Sequence, residues 1–187
     1  MIRMHKLILI FMILLISCVA TEIQDIWKDN NYQSKIKKIF VIGVSQVNII
    51  RRQFENEFVN QLTIKGIEAI PSYTVLSPDK MLDKNTIVSK IKDMNIDGVI
   101  ITQLIKKTRE YTTVPGNTYH TNYVKSYNSG SVSSADLVIL ETNLYDAKSE
   151  ELVWSGLSKT INQRTTSNAI KPVIEVIIQN LSKDNMI

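Results

Sequence analysis

The chain is poor in the residues that most site chemistry needs. Its 187 residues include one cysteine, Cys18, and two histidines, His5 and His120. A single cysteine leaves no intrachain disulfide, so the fold must stand on its hydrophobic core alone. It also removes cysteine-built metal sites, and outside the N-terminal apolar segment only His120 remains, a lone histidine that cannot make a zinc site of the usual kind without carboxylates gathered from elsewhere. No Gly-Lys-Ser/Thr phosphate-binding pattern is present. Charge of one sign is scarce as well. Lys and Arg number 22 against 18 Asp and Glu, a formal net charge of +4. So mild a balance gives no support to nucleic acid as a partner.

What is present begins at the N-terminus. Arg3 and Lys6 precede an unbroken apolar run, Leu7 to Ile16, and small or polar residues follow at Ser17, Cys18 and Ala20. A basic start, a short apolar core and a small-residue boundary are the parts of a secretory signal. The apolar stretch is shorter than the roughly 20 residues that span a bilayer. The string Leu15-Ile16-Ser17-Cys18 resembles the lipobox of bacterial lipoproteins. That resemblance implies cleavage before Cys18 and acylation of the new N-terminal cysteine with three chains, making the lipid bilayer a partner. One acyl chain holds a protein marginally, at about 0.8 kcal/mol per buried CH₂, whereas three make a stable anchor. Val19 rather than Asp follows the cysteine, which implies the outer membrane, facing the periplasm. Acylation leaves no thiol for catalysis.

Removing residues 1–17 leaves 170 residues, enough for one sizeable core and too few for two comfortable domains. It also removes Arg3 and Lys6, lowering the net charge to +2. The expected organisation is a signal peptide over 1–17, an acylated cysteine and tether over 18–36, and a periplasmic α/β domain over 37–187. Thr21 to Lys35 reads as the tether, because it is polar with only Ile23, Ile26 and Trp27 as apolar points.

The domain opens on Lys37-Lys38-Ile39-Phe40-Val41-Ile42-Gly43-Val44, a run rich in β-branched residues that predicts a strand buried on both faces. Asn48 suits a helix cap, and Ile50, Phe54, Phe58 and Leu62 recur every four residues on one helical face. Gly66 ends that helix, and Ile67-Glu68-Ala69-Ile70 reads as a short strand stopped by Pro71, paired parallel to the first. A second unit follows. Thr86 to Met94 is a short helix with Ile87, Ile91 and Met94 on one face, and Val99 to Ile105 is an apolar strand. Val114 to Ser134 is polar and reads as a long loop or projecting ribbon. Ala135 to Asp146 and Glu151 to Thr160 form a hairpin joined by Ala147-Lys148-Ser149-Glu150. Ile170, Val173, Ile174, Ile177 and Leu181 make a last amphipathic helix, with Pro172 tolerable only near its start. The order β-α-β-α-β-loop-β-β-α predicts a single α/β domain, with α+β as the variant: a mixed sheet of about five strands with helices on its faces.

Several strings carry a wider resemblance: Lys38 to Val44, Phe54-Glu55-Asn56-Glu57-Phe58, Lys65 to Ala69, Asp97 to Thr102, Leu144-Tyr145-Asp146-Ala147 and Leu152-Val153-Trp154-Ser155-Gly156. They resemble small bacterial lipoproteins with a fold like the N-terminal domain of the TolB translocation protein. Similar layouts occur in the curli secretion lipoprotein and in a lipoprotein activator of peptidoglycan synthases. The resemblance spans Lys37 to about Leu181. It implies an adaptor, secretion or envelope component rather than an enzyme, with no catalytic residue to carry over. Trp154 reads as a core or sheet-face aromatic, and Asp146-Ala147 as hairpin-turn chemistry.

Candidate chemistry is sparse. The turn Gly43-Val44-Ser45-Gln46-Val47-Asn48, with Arg51 and Arg52 nearby, could offer N–H groups to an anion. With one glycine it reads instead as an ordinary βα loop beside a solvated arginine face, with Arg51 and Glu55 as a helix-surface ion pair of small value. His120 lies in a polar stretch with no nucleophile elbow. No catalytic residue, metal or cofactor is expected. The remaining feature is Tyr111, Tyr119, Tyr123 and Tyr127, four of the seven tyrosines, set among Ser, Asn and Gly. Tyrosine in such company suits partner recognition, since it offers contact area at low entropic cost. Packing is the rival role, because Tyr119, Tyr123 and Tyr127 would share one face of a continuous strand. The sequence thus points to a membrane-anchored, non-enzymatic lipoprotein that binds a protein or cell-wall partner. A hydrolase of envelope glycans or peptides using His120 and a secretion-ring subunit are the alternatives.

Overall fold

A computed structural model describes residues 20–80, 83–114, 118–120, 125–127, 131–162 and 166–187. Cys18 and the signal segment lie outside the described residues, as does Tyr123.

The apolar run at Lys38–Val44 forms β2, a central strand buried along its length. Its alternation divides the core in two. Ile39 and Val41 pack on one side with Phe54, Phe58 and Leu62 of α1 (Asn48–Ile64). Phe40 and Ile42 pack on the other with Ile87 and Ile91 of α2 (Lys84–Ile91). The two helices therefore cover opposite faces of one sheet.

Strand β3 (Glu68–Pro71) runs parallel to β2 on one side, Lys38 opposite Glu68, and β4 (Gly98–Val114) runs parallel on the other, Ile39 opposite Gly98. α1 ends as the sequence implies: Gly66 has φ 79° and the N–H groups of Gly66 and Ile67 turn back to the carbonyls of Thr63 and Leu62. Asn48 is not the cap. Val47 occupies that position without a side-chain hydrogen bond, and Asn48 is the first helical residue. Between β3 and α2 lie two short 3₁₀ turns, Ser72–Thr74 and Pro78–Lys80.

β4 pairs antiparallel with β7 (Ser131–Asp146), which forms the expected hairpin with β8 (Leu152–Asn162). Asp146 shapes the hairpin turn by accepting from the N–H groups of Lys148 (2.9 Å) and Ser149 (2.8 Å). β4 pairs with β2 only as far as Gln103, and β8 pairs with β7 only as far as Asp136, which faces Arg109 on β4. Beyond that level β4 and β7 continue alone as a two-stranded ribbon to Val114 and Ser131. A small separate sheet joins β5 (Thr118–His120) and β6 (Lys125–Tyr127).

Among the described residues the main sheet has six strands, one more than the sequence implies, in the order β1 (Ala20–Lys28), β8, β7, β4, β2 and β3. The extra strand comes from the segment read as a tether. Residues Ala20–Lys28 form β1, antiparallel to β8 at the sheet edge. A bulge between Ile23 and Asp25 explains why it was hidden. Ile23 and Ile26 lie three apart, which breaks the two-residue alternation of a strand. The inserted residue restores them to one face, opposite Ser158 and Gly156. After β1, Ile36 is buried in the core.

The last helix, α3 (Thr166–Lys183), packs beside α1 on the same face of the sheet. Pro172 is its seventh residue, deeper than the sequence implies. The buried stripe of Val173, Ile174, Ile177 and Leu181 continues upstream through Ala169 and Ile170. That packing holds the first turns despite the donor proline lacks. Trp154 is fully buried as expected, its Nε1 donating to Asp184 Oδ2 (2.7 Å).

Candidate functional site

In a sheet of parallel strands, ligands favour the crevice outside the carboxyl ends, where successive connections leave for opposite faces. Here β2 leads into α1 on one face, while β3 leads through the 3₁₀ turns to α2 on the other. The gap between the ends of β2 and β3 is closed by charge. Arg51 is 1% exposed and Glu55 is fully buried. Glu55 Oε1 accepts from the Gly43 N–H (3.0 Å), Arg51 Nε (2.9 Å) and the Ser72 hydroxyl (2.7 Å), and Oε2 accepts from the Tyr73 N–H (2.8 Å). Arg51 Nη2 donates to Ser72 Oγ (2.7 Å) and to the Leu76 carbonyl (3.2 Å).

This overturns the surface-pair reading. The i, i+4 spacing brings Arg51 to Glu55, but Ser72 and Leu76, from the far side of β3, complete and seal the pair. The solvated arginine face reduces to Arg52, which is exposed and lies over the Tyr73 ring, 5.1 Å from its centroid, while Arg51 is committed inward. An anion at the Gly43–Asn48 turn would find Arg51 already engaged. A Cβ at Gly43 would come to 3.0 Å from the Phe54 ring, so a side chain there would press on that ring.

On the other side of β2 the crevice is open. A cleft of about 420 Å³ lies over the carboxyl end of β2 and the middle of β4, between the first turns of α1 and α3. α1 contributes Ile50, Arg51 and Phe54, and α3 contributes Ala169, Ile170 and Val173. Val138 and Leu140 of β7 and Thr102 and Leu104 of β4 form the sheet side, and Thr160 of β8 closes it towards β1. The walls are predominantly apolar. Polar groups gather at one rim, where Asp136 receives Arg109 Nε (2.9 Å) and lies 3.2 Å from Lys107 Nζ. Arg109, and then Lys107, hold the Asp136 carboxyl below the usual carboxylate range. Six elements supply this lining, β2 with Gly43 and Val44 among them, and no local sequence signal marks it.

Around the same sheet end, large apolar side chains are exposed: Val47 and Ile49 at the start of α1, Leu104 and Ile105 at a bulge in β4, and Ile161 near the end of β8. The chain also enters the sheet here. Ala20 faces Ile161, and the hydroxyls of Thr21 and Thr160 lie 3.0 Å apart. Cys18 is two residues before Ala20.

The tyrosines are dispersed. Tyr111 lies in β4 opposite Ser134, Tyr119 in β5 opposite Ser126, and Tyr127 in β6 opposite Thr118. The continuous strand that would give Tyr119, Tyr123 and Tyr127 a common face is replaced by two short antiparallel ones. His120 is in β5, opposite Lys125. Among the described residues no helix is long and apolar enough to cross a membrane.

No family model matches the chain, and no curated protein does. Among solved structures it is similar to the PelC dodecamer from Paraburkholderia phytofirmans, with a TM-score of 0.49 at 14% identity over 84% of this chain and 95% of that one. It is also similar to lipoprotein GNA1162 from Neisseria meningitidis, with a TM-score of 0.43 at 15% identity over 78% of this chain and 98% of that one.

Proposed function

We propose that this chain is a bacterial lipoprotein, anchored in the outer membrane through acylated Cys18, whose periplasmic α/β domain works by binding a protein or cell-wall partner and not as an enzyme. The observation that carries this reading is the position of the lipobox relative to the folded sheet. β1 begins two residues after Cys18, so an acylated cysteine holds the domain directly against the bilayer rather than on a tether. The end that faces the lipid is then the one with the open cleft and the exposed Val47, Ile49, Leu104 and Ile105.

The chemistry of the cleft fits binding. Among the described residues, the buried charged pair beside the cleft is Arg51–Glu55, and Glu55 accepts from the Gly43 and Tyr73 N–H groups, Arg51 and Ser72. A general acid or base needs a proton position facing substrate, and this carboxylate faces inward. The partner surface we propose is the segment carrying Tyr111, Tyr119, Tyr123 and Tyr127, which joins β4 to β7 on the membrane-facing side of the sheet, so the partner is met at the bilayer surface.

Crosslinking in cells, followed by identification of what co-purifies, tests the reading. Replacing Tyr119, Tyr123 and Tyr127 with Ser is expected to abolish the crosslinked partner while leaving thermal unfolding nearly unchanged. A partner that crosslinks equally to this variant, or a large fall in stability, would contradict it.

A further inference from the structure

We infer that the cleft between α1 and α3 holds one of the acyl chains carried by Cys18. The inference deepens the lipid-anchor reading and rests on it. The ligand class follows from the walls. Phe54, Val138, Leu140, Ile170 and Val173 present hydrocarbon into about 420 Å³, and Arg51, the charged group at the base, is turned away to Glu55 and Ser72. The polar side chains that also line it are largely engaged already, Ser45 with the Val47 N–H, Thr102 with Thr142, Gln103 with Glu141 and Thr160 with Thr21, so a sugar or nucleotide would have to displace those bonds or bury its own groups unpaired, which is costly. A single hydrocarbon chain needs no partners, and the volume lies within the range of small-ligand sites.

The source of the chain follows from where the polypeptide enters. Thr21 is hydrogen-bonded to Thr160, and Thr160 lines the cleft. Cys18 is three residues upstream of Thr21. Three extended residues reach roughly 10 Å, so the thioether sulfur begins its chain within reach of the rim. The ester and amide groups that link acyl chains to the cysteine are polar, and the rim beside Lys107 and Asp136 is where polar groups gather. The cleft takes one chain, and the others implied by the lipobox remain in the bilayer.

The test is photocrosslinking of the full-length protein in its own membranes. Cells are supplied with a fatty acid bearing a diazirine near its methyl end, the membranes are irradiated, and the purified protein is analysed by intact mass and by peptide mapping. The expected result is crosslinks in the peptides containing Val138 to Leu140 or Ala169 to Val173. These should be lost in Val173→Trp, which fills the cleft. Ala169→Leu narrows the same wall more gently and serves if circular dichroism shows that Val173→Trp does not fold. An acylated Cys18 whose crosslinks fall only on membrane lipids, or on peptides elsewhere in the domain, overturns the inference and leaves the anchor standing. An unacylated mature protein overturns the anchor, and this inference with it.

Discussion

Arg51 and Glu55 form an ion pair closed to solvent, Nε to Oε1 2.9 Å, at the point where the chain leaves β2 for one face of the sheet and β3 for the other. A buried pair is a poor source of net stability but an expensive one to break, because removing one partner strands the other charge. Arg51→Met is therefore expected to cost about 3–5 kcal/mol. The double variant Arg51→Met/Glu55→Met should recover much of that loss. Denaturant unfolding of the three proteins checks this, and a double variant no better than the single one would contradict it.

Gly156 follows Trp154 on the same face of β8, and a Cβ at Gly156 would overlap the Trp154 indole. Gly156→Ala should force the ring off its place and cost about 1–3 kcal/mol through overpacking. The displaced indole would also loosen its bond to Asp184. Thermal unfolding with near-ultraviolet circular dichroism of the tryptophan band reports both effects.

Asp146 makes stability depend on pH at the acid end. Burial pushes its carboxyl up, but the N–H groups of Ser149 and Lys148 and the Tyr32 hydroxyl outweigh burial and hold it below the usual range. A carboxyl depressed in the folded state contributes stability above its unfolded value, near pH 4, and loses it as pH falls through the folded value. Asp146→Asn should therefore unfold more easily near neutrality and show a shallower loss of stability below about pH 4. Tyr32 is displaced the other way: burial, and then its bond to the Asp146 carboxylate, push its phenol well above the usual tyrosine range. Titration followed by tyrosinate absorbance should show this phenol ionising last or only on unfolding.

Pro172 withholds an N–H from the interior of α3. Pro172→Ala should restore one backbone hydrogen bond and stabilise the domain by about 1 kcal/mol or more, net of the freedom regained by the unfolded chain. A loss of stability would mean that the proline ring itself packs at that position.

These sites show what the sequence could and could not reveal. The unbroken apolar run from Ile39 to Val44, the four-residue stripe of α1, the Gly66 terminus and the Asp146 turn are local signals, and the structure contains each of them. Trp154 reads as a core or sheet-face aromatic, and the structure buries it in the core. The rest depends on residues far apart in the chain. The bulge in β1 concealed an edge strand by setting Ile23 and Ile26 three apart. The i, i+4 spacing of Arg51 and Glu55 reads the same on a solvated surface as in a core, and only Ser72 and Leu76 decide between the two. The cleft draws its walls from α1, α3, β2, β4, β7 and β8, so no single stretch could announce it.

The central claim is the anchor and its closeness to the fold. Intact-mass and N-terminal peptide analysis of the protein purified from cell membranes tests it most directly. The account predicts a mature chain that begins at Cys18, carries a diacylglyceryl thioether and an amide-linked acyl chain, and resists proteolysis from β1 onward. A mature protein with a free thiol at Cys18, cleavage at another position, or a protease-sensitive segment between Ala20 and Lys28 would contradict it.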